Sequence, residues 1–310
     1  MNIETLTQLA FEEDIREGDI TSNCIIDKNQ TATAKVIAKQ KLILCGIEII
    51  RQVLLQYDPK LRFKTKLQEG QEIEKGIVIA TIEGNALSLL ACERIILNFL
   101  QRLSGIATNT KQYTEKIQKY NTKLLDTRKT IPGYRAMEKY AVKCGGGMNH
   151  RQGLYDMVLI KDNHIAIAGS IKNAILLVNN NKQFQQLKKA KAMKIEVEVQ
   201  SLQELKKTLQ SAETTVAIDI IMLDNFSPKD AKIAVELIQK FNKNRNNKNK
   251  KNNPTNKQKQ IKIEASGGIN LENIEEYAKT GIDYISIGSA LTLSSPVVDI
   301  NIDININNNK

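Results

Sequence analysis

The 310-residue chain lacks features that define several large classes of protein. Its four cysteines, Cys24, Cys45, Cys92 and Cys144, are widely separated and form no CxxC pair. This spacing excludes the disulfide framework of small secreted domains and favours a reducing compartment. The longest apolar runs, such as residues 42–50, are too short to span a bilayer, and that run is interrupted by a glutamate.

The N-terminus also lacks the signatures of targeting segments. Residues 1–4 have neither the basic start nor the apolar run of a secretory signal. Glu12, Glu13 and Asp14 give the following residues an acidic character that transit peptides avoid. We therefore expect a cytoplasmic protein, or a protein of an organelle stroma if the gene is organellar.

The net charge of +11 suggests a nucleic-acid partner, but the excess charge is local. Residues 242–260 contain seven lysines or arginines and no acid, and the rest of the chain has 38 basic and 34 acidic residues, a net charge of +4. This tract lacks apolar periodicity and contains a proline, which predicts a disordered insertion. It also lacks the interleaved aromatic residues that RNA binding needs. We predict no nucleic-acid partner and no membrane association.

Two different patterns divide the chain near residue 110. Short β-type runs separated by glycines occupy residues 18–84, and an amphipathic helix follows at 88–104, where Gly105 is placed to end it. These patterns predict a small antiparallel α+β domain at residues 1–110. The tail at about 291–310 alternates with period two over 299–306, so we expect it to add a half-buried strand to this domain.

Strands and helices alternate over residues 111–290, which indicates parallel strands. Ser201 and Ser227 are placed to cap helices that follow the strands at 194–199 and 218–223. Polar residues or glycine stand at the carboxyl ends of the strands: Glu198, Asp224, Glu264, Ser266 and Gly288. The last two strands lead into the small-residue loops Ser266-Gly267-Gly268 and Gly288-Ser289-Ala290, which resemble the phosphate loops of α/β barrels. These features favour a barrel over an open sheet.

The stretch 126–164 is rich in cations and contains both histidines of the chain, a triple glycine and few acids. Its basic residues are Arg128, Lys129, Arg135, Lys139, Lys143, Arg151 and Lys161. A solvated helix face would alternate cations with acids, so this composition predicts a pocket for a small molecule with several negative charges. The glycines would let backbone N–H groups approach the anion.

Motifs in a fixed order extend over nearly the whole chain. They are Gly18-Asp19-Ile20-Thr21, Glu93-Arg94, Asp126-Thr127-Arg128-Lys129-Thr130, Cys144-Gly145-Gly146-Gly147, Asn149-His150-Arg151, Ile160-Lys161-Asp162-Asn163-His164, Glu196-Val197-Glu198-Val199, Met222-Leu223-Asp224-Asn225 and the two small-residue loops. Together they resemble the quinolinate phosphoribosyltransferases, also called carboxylating nicotinate-nucleotide pyrophosphorylases. The agreement of so many ordered blocks is far more specific than any single motif.

The resemblance implies an α/β fold, with an incomplete TIM-like barrel at residues 111–290 joined to a small N-terminal α+β open sandwich. It implies a homodimer, or a hexamer built from dimers, in which the N-terminal domain of one subunit caps the barrel of its partner. The implied reaction transfers phosphoribose from phosphoribosyl pyrophosphate to quinolinate. Its products are nicotinate mononucleotide, CO2 and pyrophosphate, and it requires Mg²⁺.

The resemblance also assigns roles to individual residues. Those implied to surround the dicarboxylate are Arg94 (from the partner subunit), Arg128, His150, Arg151 and Lys161, with Lys129 beside them and serving the phosphate-bearing substrate as well. Thr127 is implied to bind substrate. Glu198 and Asp224 are implied to face the ribose and to hold Mg²⁺ partly through water. The implied 5′-phosphate site consists of Ser266, Gly267, Gly268, Gly288, Ser289 and Ala290. The residues implied to act in catalysis are Lys129, Lys161, Glu198 and Asp224.

Several alternatives stay open at the level of sequence. His150 reads alternatively as a packed histidine whose Nδ1 is bonded to backbone, and His164 as a structural loop residue. Glu196 shares a strand face with Glu198, and Glu198 is the preferred ribose ligand because it is nearer the carboxyl end. A metal site formed by Cys144 and both histidines has no supporting spacing. Two rival functions are a related enzyme that uses nicotinate and a nucleic-acid-binding protein that uses the basic tract.

Overall fold

The computed structural model describes residues 3–191, 193–214, 218–252 and 260–307. The chain divides into two compact units. The first comprises Met1–Gln112, Lys129–Met148 and Ser289–Lys310, and the second comprises Tyr113–Arg128 and Asn149–Gly288. Among the described residues, no helix has the length and apolar character needed to cross a bilayer.

The elements of the N-terminal half are, in chain order, α1 Ile3–Asp14, α2 Ile20–Ile25, β1 Thr31–Ala38, β2 Leu42–Ile43, α3 Ile47–Tyr57, β3 Arg62–Lys64, β4 Glu72–Ile73, β5 Val78–Asn85, α4 Ala86–Ile117, β6 Lys123–Leu125 and α5 Arg135–Cys144. Those of the C-terminal half are β7 Val158–Ile160, α6 Asp162–Ala168, α7 Ile171–Asn180, α8 Lys182–Lys191, β8 Ile195–Val199, α9 Leu202–Thr214, β9 Ile220–Asp224, α10 Pro228–Asn252, β10 Lys262–Ser266, α11 Ile274–Ala278, β11 Tyr284–Ser286 and β12 Ile300–Ile306.

The first unit is built on an antiparallel sheet with the strand order β12-β1-β5-β3. Every second residue of β1, from Ala32 to Ala38, is buried, as expected for a sheet with one face on the core. The strand predicted in the tail is present, because β12 pairs with β1 from Ile300↔Ala38 to Ile306↔Ala32.

The prediction that Gly105 ends the helix is wrong, because α4 continues through it to Ile117. Gly105 is needed for packing instead. A Cβ at this position would overlap the carbonyl oxygen of Pro296 and lie 3.0 Å from the Cα of Val297. The glycine therefore allows the C-terminal segment to lie directly against the backbone of α4.

The second unit is built on a parallel sheet with the strand order β6-β11-β10-β9-β8-β7. The strands after β6 follow one another around the sheet, and the last of them, β11, returns to pair with β6. This cyclic order is that of a barrel, and the described strands β6 and β7 are not paired with each other. The predicted incomplete α/β barrel is therefore confirmed.

The two predicted helix caps are also confirmed. The hydroxyl oxygen of Ser201 accepts a hydrogen bond from the N–H of Glu204, and that of Ser227 accepts one from the N–H of Asp230. Pro228 then occupies the first position of α10, where a missing N–H costs nothing.

The structure differs from the predicted disordered insertion over residues 242–252, where α10 continues to Asn252. Residues 253–259 lie outside the described part. Asn242 anchors this end of the helix, since its side chain bonds both the N–H and the carbonyl oxygen of Ile261 at 3.0 Å. The Arg245 guanidinium lies over the Phe241 ring at 5.4 Å. Lysine and arginine are good helix formers, which offsets the weaker helix propensity of the asparagines between them.

Candidate active site

The carboxyl edge of the parallel sheet gathers many of the polar residues that the sequence singled out. Because all six strands run in the same direction, their carboxyl ends lie along one edge. The residues at or directly after these ends are Asp126, Lys161, Glu198, Asp224, Ser266 and Ser286. This edge is where barrel enzymes build their active sites.

Lys161 and Glu198 are brought together at this edge. The Lys161 ammonium forms an ion pair with a carboxylate oxygen of Glu198. The Glu198 side chain is 5% exposed and that of Lys161 is 42% exposed. The ammonium is therefore accessible to a ligand, while its position is fixed by a buried carboxylate.

Asp126 organises the loop that carries the two basic residues of the Asn-His-Arg motif. Its carboxylate is fully buried and accepts hydrogen bonds from the Asn149 amide at 2.5 Å and from the N–H of His150 at 2.8 Å. Asp126 follows β6 directly, so the sheet edge sets the position of this loop. The aspartate thus supports residues 149–151.

His150 is directed into the interior of the second unit. Its Nδ1 accepts a hydrogen bond from the N–H of Arg151 at 2.7 Å, so Nε2 carries the ring proton in the neutral form. Nε2 lies 3.0 Å from a carboxylate oxygen of Glu196 and 3.6 Å from one of Glu264. The bond from the Arg151 backbone to Nδ1 is the arrangement expected if His150 is a packed histidine.

The two carboxyl groups beside His150 are almost completely excluded from water. Burial raises the pKa of Glu196 to about 7, and Arg151 and Lys161 oppose that shift. Burial also raises the pKa of Glu264 well above its ordinary value, with a further contribution from the neighbouring Glu196. Two adjacent buried carboxyls retain a proton because both ionised forms together are unfavourable.

This protonation makes a testable contribution to stability. The folded chain holds a proton on Glu196 more tightly than the unfolded chain does. The contribution of Glu196 to the free energy of unfolding is therefore fully present below pH 4.5 and is lost as the pH rises through about 7. Glu196→Gln cannot ionise, so we expect the wild type to lose on the order of 3 kcal/mol relative to this variant across that window.

Urea unfolding at a series of pH values measures this difference. Glu236→Gln is the matched control, since Glu236 is exposed on α10 and should leave the pH dependence unchanged. An identical pH dependence for wild type and Glu196→Gln would show that the pKa of Glu196 is the same in the folded and the unfolded chain.

Arg128 and Arg151 form the cationic part of the candidate site. The pKa of Arg151 is lowered by burial and by the neighbouring Arg128 guanidinium, which repels its charge. A guanidinium N–H of Arg151 donates to the carbonyl oxygen of Met157 at 3.2 Å, which orients the group. A bound anion would offset the repulsion between the two guanidinium groups, so this pair supports the predicted anion pocket.

The loops after β9 and β10 are locked to each other. The N–H of Asn225 donates to the carbonyl oxygen of Ser266 at 2.8 Å, and the Asn225 amide bonds Asp224 at 2.9 Å. Gly267, with φ +88, has no space for a Cβ because the Asn225 side chain fills it. Gly268, with φ +65, faces open space within 4 Å of its Cβ position. The second glycine therefore leaves room for a ligand at the backbone.

Four of the predicted site residues belong to the first unit: Arg94, Lys129, Ser289 and Ala290. All four are exposed. Within this unit, the carbonyl oxygen of Lys129 accepts a hydrogen bond from the Thr292 hydroxyl at 2.5 Å, and that of Ala290 accepts one from the Asn109 amide at 2.8 Å. Thr127 is half-buried in the second unit, and Gly288 ends that unit.

Sequence reasoning missed two residues that shape the site. Glu264 was recognised only as a polar strand residue, although it stands among apolar neighbours in β10 as Glu196 does in β8. Asp126 begins the Asp-Thr-Arg-Lys-Thr motif, but the sequence pattern predicted no role for it. His164 makes a local hydrogen bond, in which its Nδ1 accepts the N–H of Lys161 at 3.0 Å at the start of α6. This bond is consistent with the structural alternative for His164.

Comparison with known proteins identifies the family. The N-terminal domain model of quinolinate phosphoribosyl transferase matches residues 19–104, and the C-terminal domain model matches residues 106–303. The chain belongs to the quinolinate phosphoribosyltransferase family. The family resemblance read from the motifs is therefore confirmed.

Individual relatives of the quinolinate phosphoribosyltransferase family agree over almost the full length. A probable carboxylating nicotinate-nucleotide pyrophosphorylase of Bacillus subtilis is 38% identical, over 99% of this chain and 95% of the relative. A decarboxylating, mitochondrial quinolinate phosphoribosyltransferase of Nicotiana glauca is 34% identical, over 98% of this chain and 82% of the relative. The solved structure of the nicotinate-nucleotide pyrophosphorylase from Francisella tularensis has a TM-score of 0.82 at 37% identity. The match covers 98% of this chain and 96% of that structure. The predicted fold, a barrel with a small N-terminal domain, is confirmed by this likeness.

Proposed function

We propose that the chain transfers phosphoribose from phosphoribosyl pyrophosphate to the ring nitrogen of quinolinate and removes one carboxylate as CO2. The products are nicotinate mononucleotide and pyrophosphate, which makes the reaction a step of NAD biosynthesis. One structural observation carries this proposal. Paired guanidinium groups and an accessible ammonium stand at the same strand edge as separate acidic residues.

This charge distribution matches the two substrates. Quinolinate has two carboxylates, which guanidinium groups bind in bidentate fashion. Arg128, Arg151 and Lys161 supply positive charge for this dicarboxylate, and Thr127 and His150 belong to the same proposed subsite. Arg94 is exposed on α4, as a residue that serves the active site of a partner subunit must be. Lys129 is assigned to both substrates.

The acidic residues suit the ribose and the metal ion. Glu198 lies in β8 and Asp224 ends the neighbouring β9, and the pair Val199↔Leu223 brings these strand ends into register. Carboxylate and water oxygens are the ligands that Mg²⁺ prefers, so the two residues fit this ion. When bound, Mg²⁺ would supply positive charge to the pyrophosphate-bearing substrate. Glu198 and Asp224 would also accept hydrogen bonds from ribose hydroxyls.

The residues of the chain act mainly by electrostatics in this reaction. The bond from the ribose carbon to pyrophosphate breaks as the ring nitrogen attacks with its own lone pair, so no general base is needed. Glu198 and Asp224 would stabilise the positive charge that develops on the ribose. Loss of CO2 leaves an electron pair on the ring carbon, and Lys161 and the arginines would stabilise it until a proton is added.

The glycine loops are proposed to bind the 5′-phosphate through backbone N–H groups, with Ser266, Gly267 and Gly268 on one loop and Gly288, Ser289 and Ala290 on the other. We expect Gly267→Ala to raise the KM for phosphoribosyl pyrophosphate at least about tenfold, because the new Cβ displaces Asn225 and strains a positive φ.

Steady-state kinetics at saturating quinolinate measures this effect. Gly268→Ala is the matched variant, because its new Cβ meets no neighbour and only the φ strain remains. It should raise KM less than Gly267→Ala, because Asn225 stays in place. Unchanged KM values in both variants would remove this loop from the phosphate site.

We also propose a homodimer, or a hexamer of dimers, in which each active site receives Arg94 from the partner. Mixing an inactive Arg94→Ala chain with an inactive Lys161→Ala chain tests this arrangement. Restored activity on subunit exchange supports a shared site, and no restoration argues for a site within one chain. The proposed compartment is the cytoplasm or an organelle stroma, and the Nicotiana glauca relative is described as mitochondrial.

The enzyme assay for the proposed function is direct. The purified chain with quinolinate, phosphoribosyl pyrophosphate and Mg²⁺ should form nicotinate mononucleotide and release CO2. Nicotinate in place of quinolinate should be a far poorer substrate, because it leaves a cationic group without its carboxylate. A preference for nicotinate would favour the rival enzyme function, and folded protein with no turnover of either acid would reject the proposal.

A further inference from the structure

A second cluster of ionisable side chains lies in the first unit, among residues to which the proposed reaction gives no role. Cys45 precedes α3, Glu69 lies in the loop between β3 and β4, and Cys144 is the last residue of α5. One sulfur or carboxylate oxygen from each lies within 4.8 Å of the others. Three distant parts of the chain therefore place two thiols and a carboxyl group around one point.

The backbone around this cluster is firmly held. The N–H of Gly70 donates to the carbonyl oxygen of Leu44 at 2.8 Å, which joins the segments of Glu69 and Cys45. The Ser104 hydroxyl accepts the N–H of Cys45 at 3.0 Å and donates to its carbonyl oxygen at 3.1 Å. These bonds fix the backbone of the segments that carry Cys45 and Glu69.

The carboxylate of Glu69 is also oriented by hydrogen bonds. Its two oxygens accept the N–H of Gly46 at 3.1 and 2.9 Å, at the start of α3. Such outer hydrogen bonds fix metal-binding carboxylates in known sites. Cys45 is fully buried, whereas Cys144 and Glu69 are half-buried, which gives a ligand access from one side.

The ionisable groups of the cluster are close enough to shift one another's pKa values. The hydrogen bond between the two sulfurs raises the pKa of Cys45 and lowers that of Cys144. Burial raises the pKa of Glu69. Two sulfurs and a carboxylate oxygen this close together are ligand types that a thiophilic divalent cation binds.

We propose that Cys45, Cys144 and Glu69 form a binding site for a thiophilic divalent cation of the zinc class. Two thiolates select such ions over Mg²⁺, so this site would not compete for the ion of the reaction. Tetrahedral zinc with these ligand types needs ligand atoms about 3.3–3.8 Å apart, which lies within the observed limit. Each ligating thiol releases its proton to solvent, and the oxidation state of the metal does not change.

A fourth ligand would be a water molecule or the Tyr140 hydroxyl. Tyr140 is on α5, one helical turn before Cys144. Burial raises the pKa of Tyr140, and Glu69 and both cysteines raise it further. A bound ion would fix the start of the Gly145-Gly146-Gly147 segment, which leads into the Asn149-His150-Arg151 loop. The role of the ion is therefore structural.

Titration of the reduced, metal-free full chain with Co²⁺ tests the site. We expect one Co²⁺ per chain, with a thiolate-to-cobalt charge-transfer band that Zn²⁺ removes, and a higher Tm with Zn²⁺. Cys144→Ser and Cys45→Ser should abolish the band, and Glu69→Gln should weaken binding. Cys24→Ser and Cys92→Ser are matched controls, one exposed and one buried, that should keep it.

Other results would overturn the proposal. They are the absence of a thiolate band in the wild type, a band unchanged by Cys144→Ser, or a band lost in the control variants. Formation of a Cys45–Cys144 disulfide in air, in protein whose reduced form takes up no Co²⁺, would assign the pair to redox chemistry instead. Circular dichroism confirms the folding of each variant. None of these readouts depends on phosphoribosyl transfer, so the site stands or fails separately from the proposed function.

Discussion

Arg128→Ala is expected to lower kcat/KM for quinolinate by about 10²–10³-fold, the effect of removing a group that stabilises developing negative charge. Arg128 is exposed and repels the half-buried Arg151. Without Arg128 the substrate loses a guanidinium group that binds it. In the free protein, the repulsion between Arg128 and Arg151 also disappears. We expect Tm to change little. Steady-state kinetics and thermal unfolding of the same preparation measure both quantities.

Two further variants sharpen this test. Arg128→Lys keeps the charge but loses the planar pair of donors, so it should recover only part of the activity. Arg62→Ala removes an exposed arginine from β3 of the first unit and should leave kinetics unchanged. Normal kinetics in Arg128→Ala would show that this guanidinium does not contact the dicarboxylate.

Glu138→Ala is expected to have the largest effect on stability, a loss of about 3–5 kcal/mol, because it leaves a buried charge without its partner. Glu138 is fully buried in α5 and its carboxylate contacts an Arg102 guanidinium nitrogen at 2.7 Å. Its other oxygen accepts the N–H of Ile131 at 3.1 Å. Arg102 also donates to the carbonyl oxygens of Thr292 and Ser295. The variant therefore disturbs four segments of the first unit.

Urea unfolding of the purified variant measures this loss. The control is Glu48→Ala, which removes an exposed ion pair with Arg51 at 3.5 Å and should cost at most about 1 kcal/mol. Equal stability of the two variants would show that water replaces Glu138 at the guanidinium.

Much of the fold could be predicted because its signals are local. Apolar residues alternate with polar ones in the strand of the tail. The caps at Ser201 and Ser227 are hydrogen bonds to the N–H group three residues further along the chain. Gly105 was misread because a helix-ending glycine and a glycine at a close backbone contact look alike in sequence. Only the structure shows Pro296 against it. The helix over 242–252 was missed because its anchor, the bond between Asn242 and Ile261, joins the first residue of the basic tract to the residue that follows the tract.

The site was predicted from motifs, and what the motifs could not supply is pairwise geometry. The strand-end positions of Lys161, Glu198 and Asp224 follow from the alternation of strands and helices. The approach of Glu196 and Glu264 to His150 does not, because these residues come from three separate segments whose arrangement depends on barrel closure. The orientation of the histidine depends on one hydrogen bond to the Arg151 backbone, which no pattern reveals.

A crystal structure of the chain with quinolinate, or with its analogue phthalate, tests the central claim most directly. The account predicts a dicarboxylate at the carboxyl edge of the parallel sheet, in contact with Arg128, Arg151 and Lys161, with His150 beside it and Arg94 supplied by a partner subunit. A dicarboxylate bound elsewhere, with these side chains directed away from it, would contradict the account.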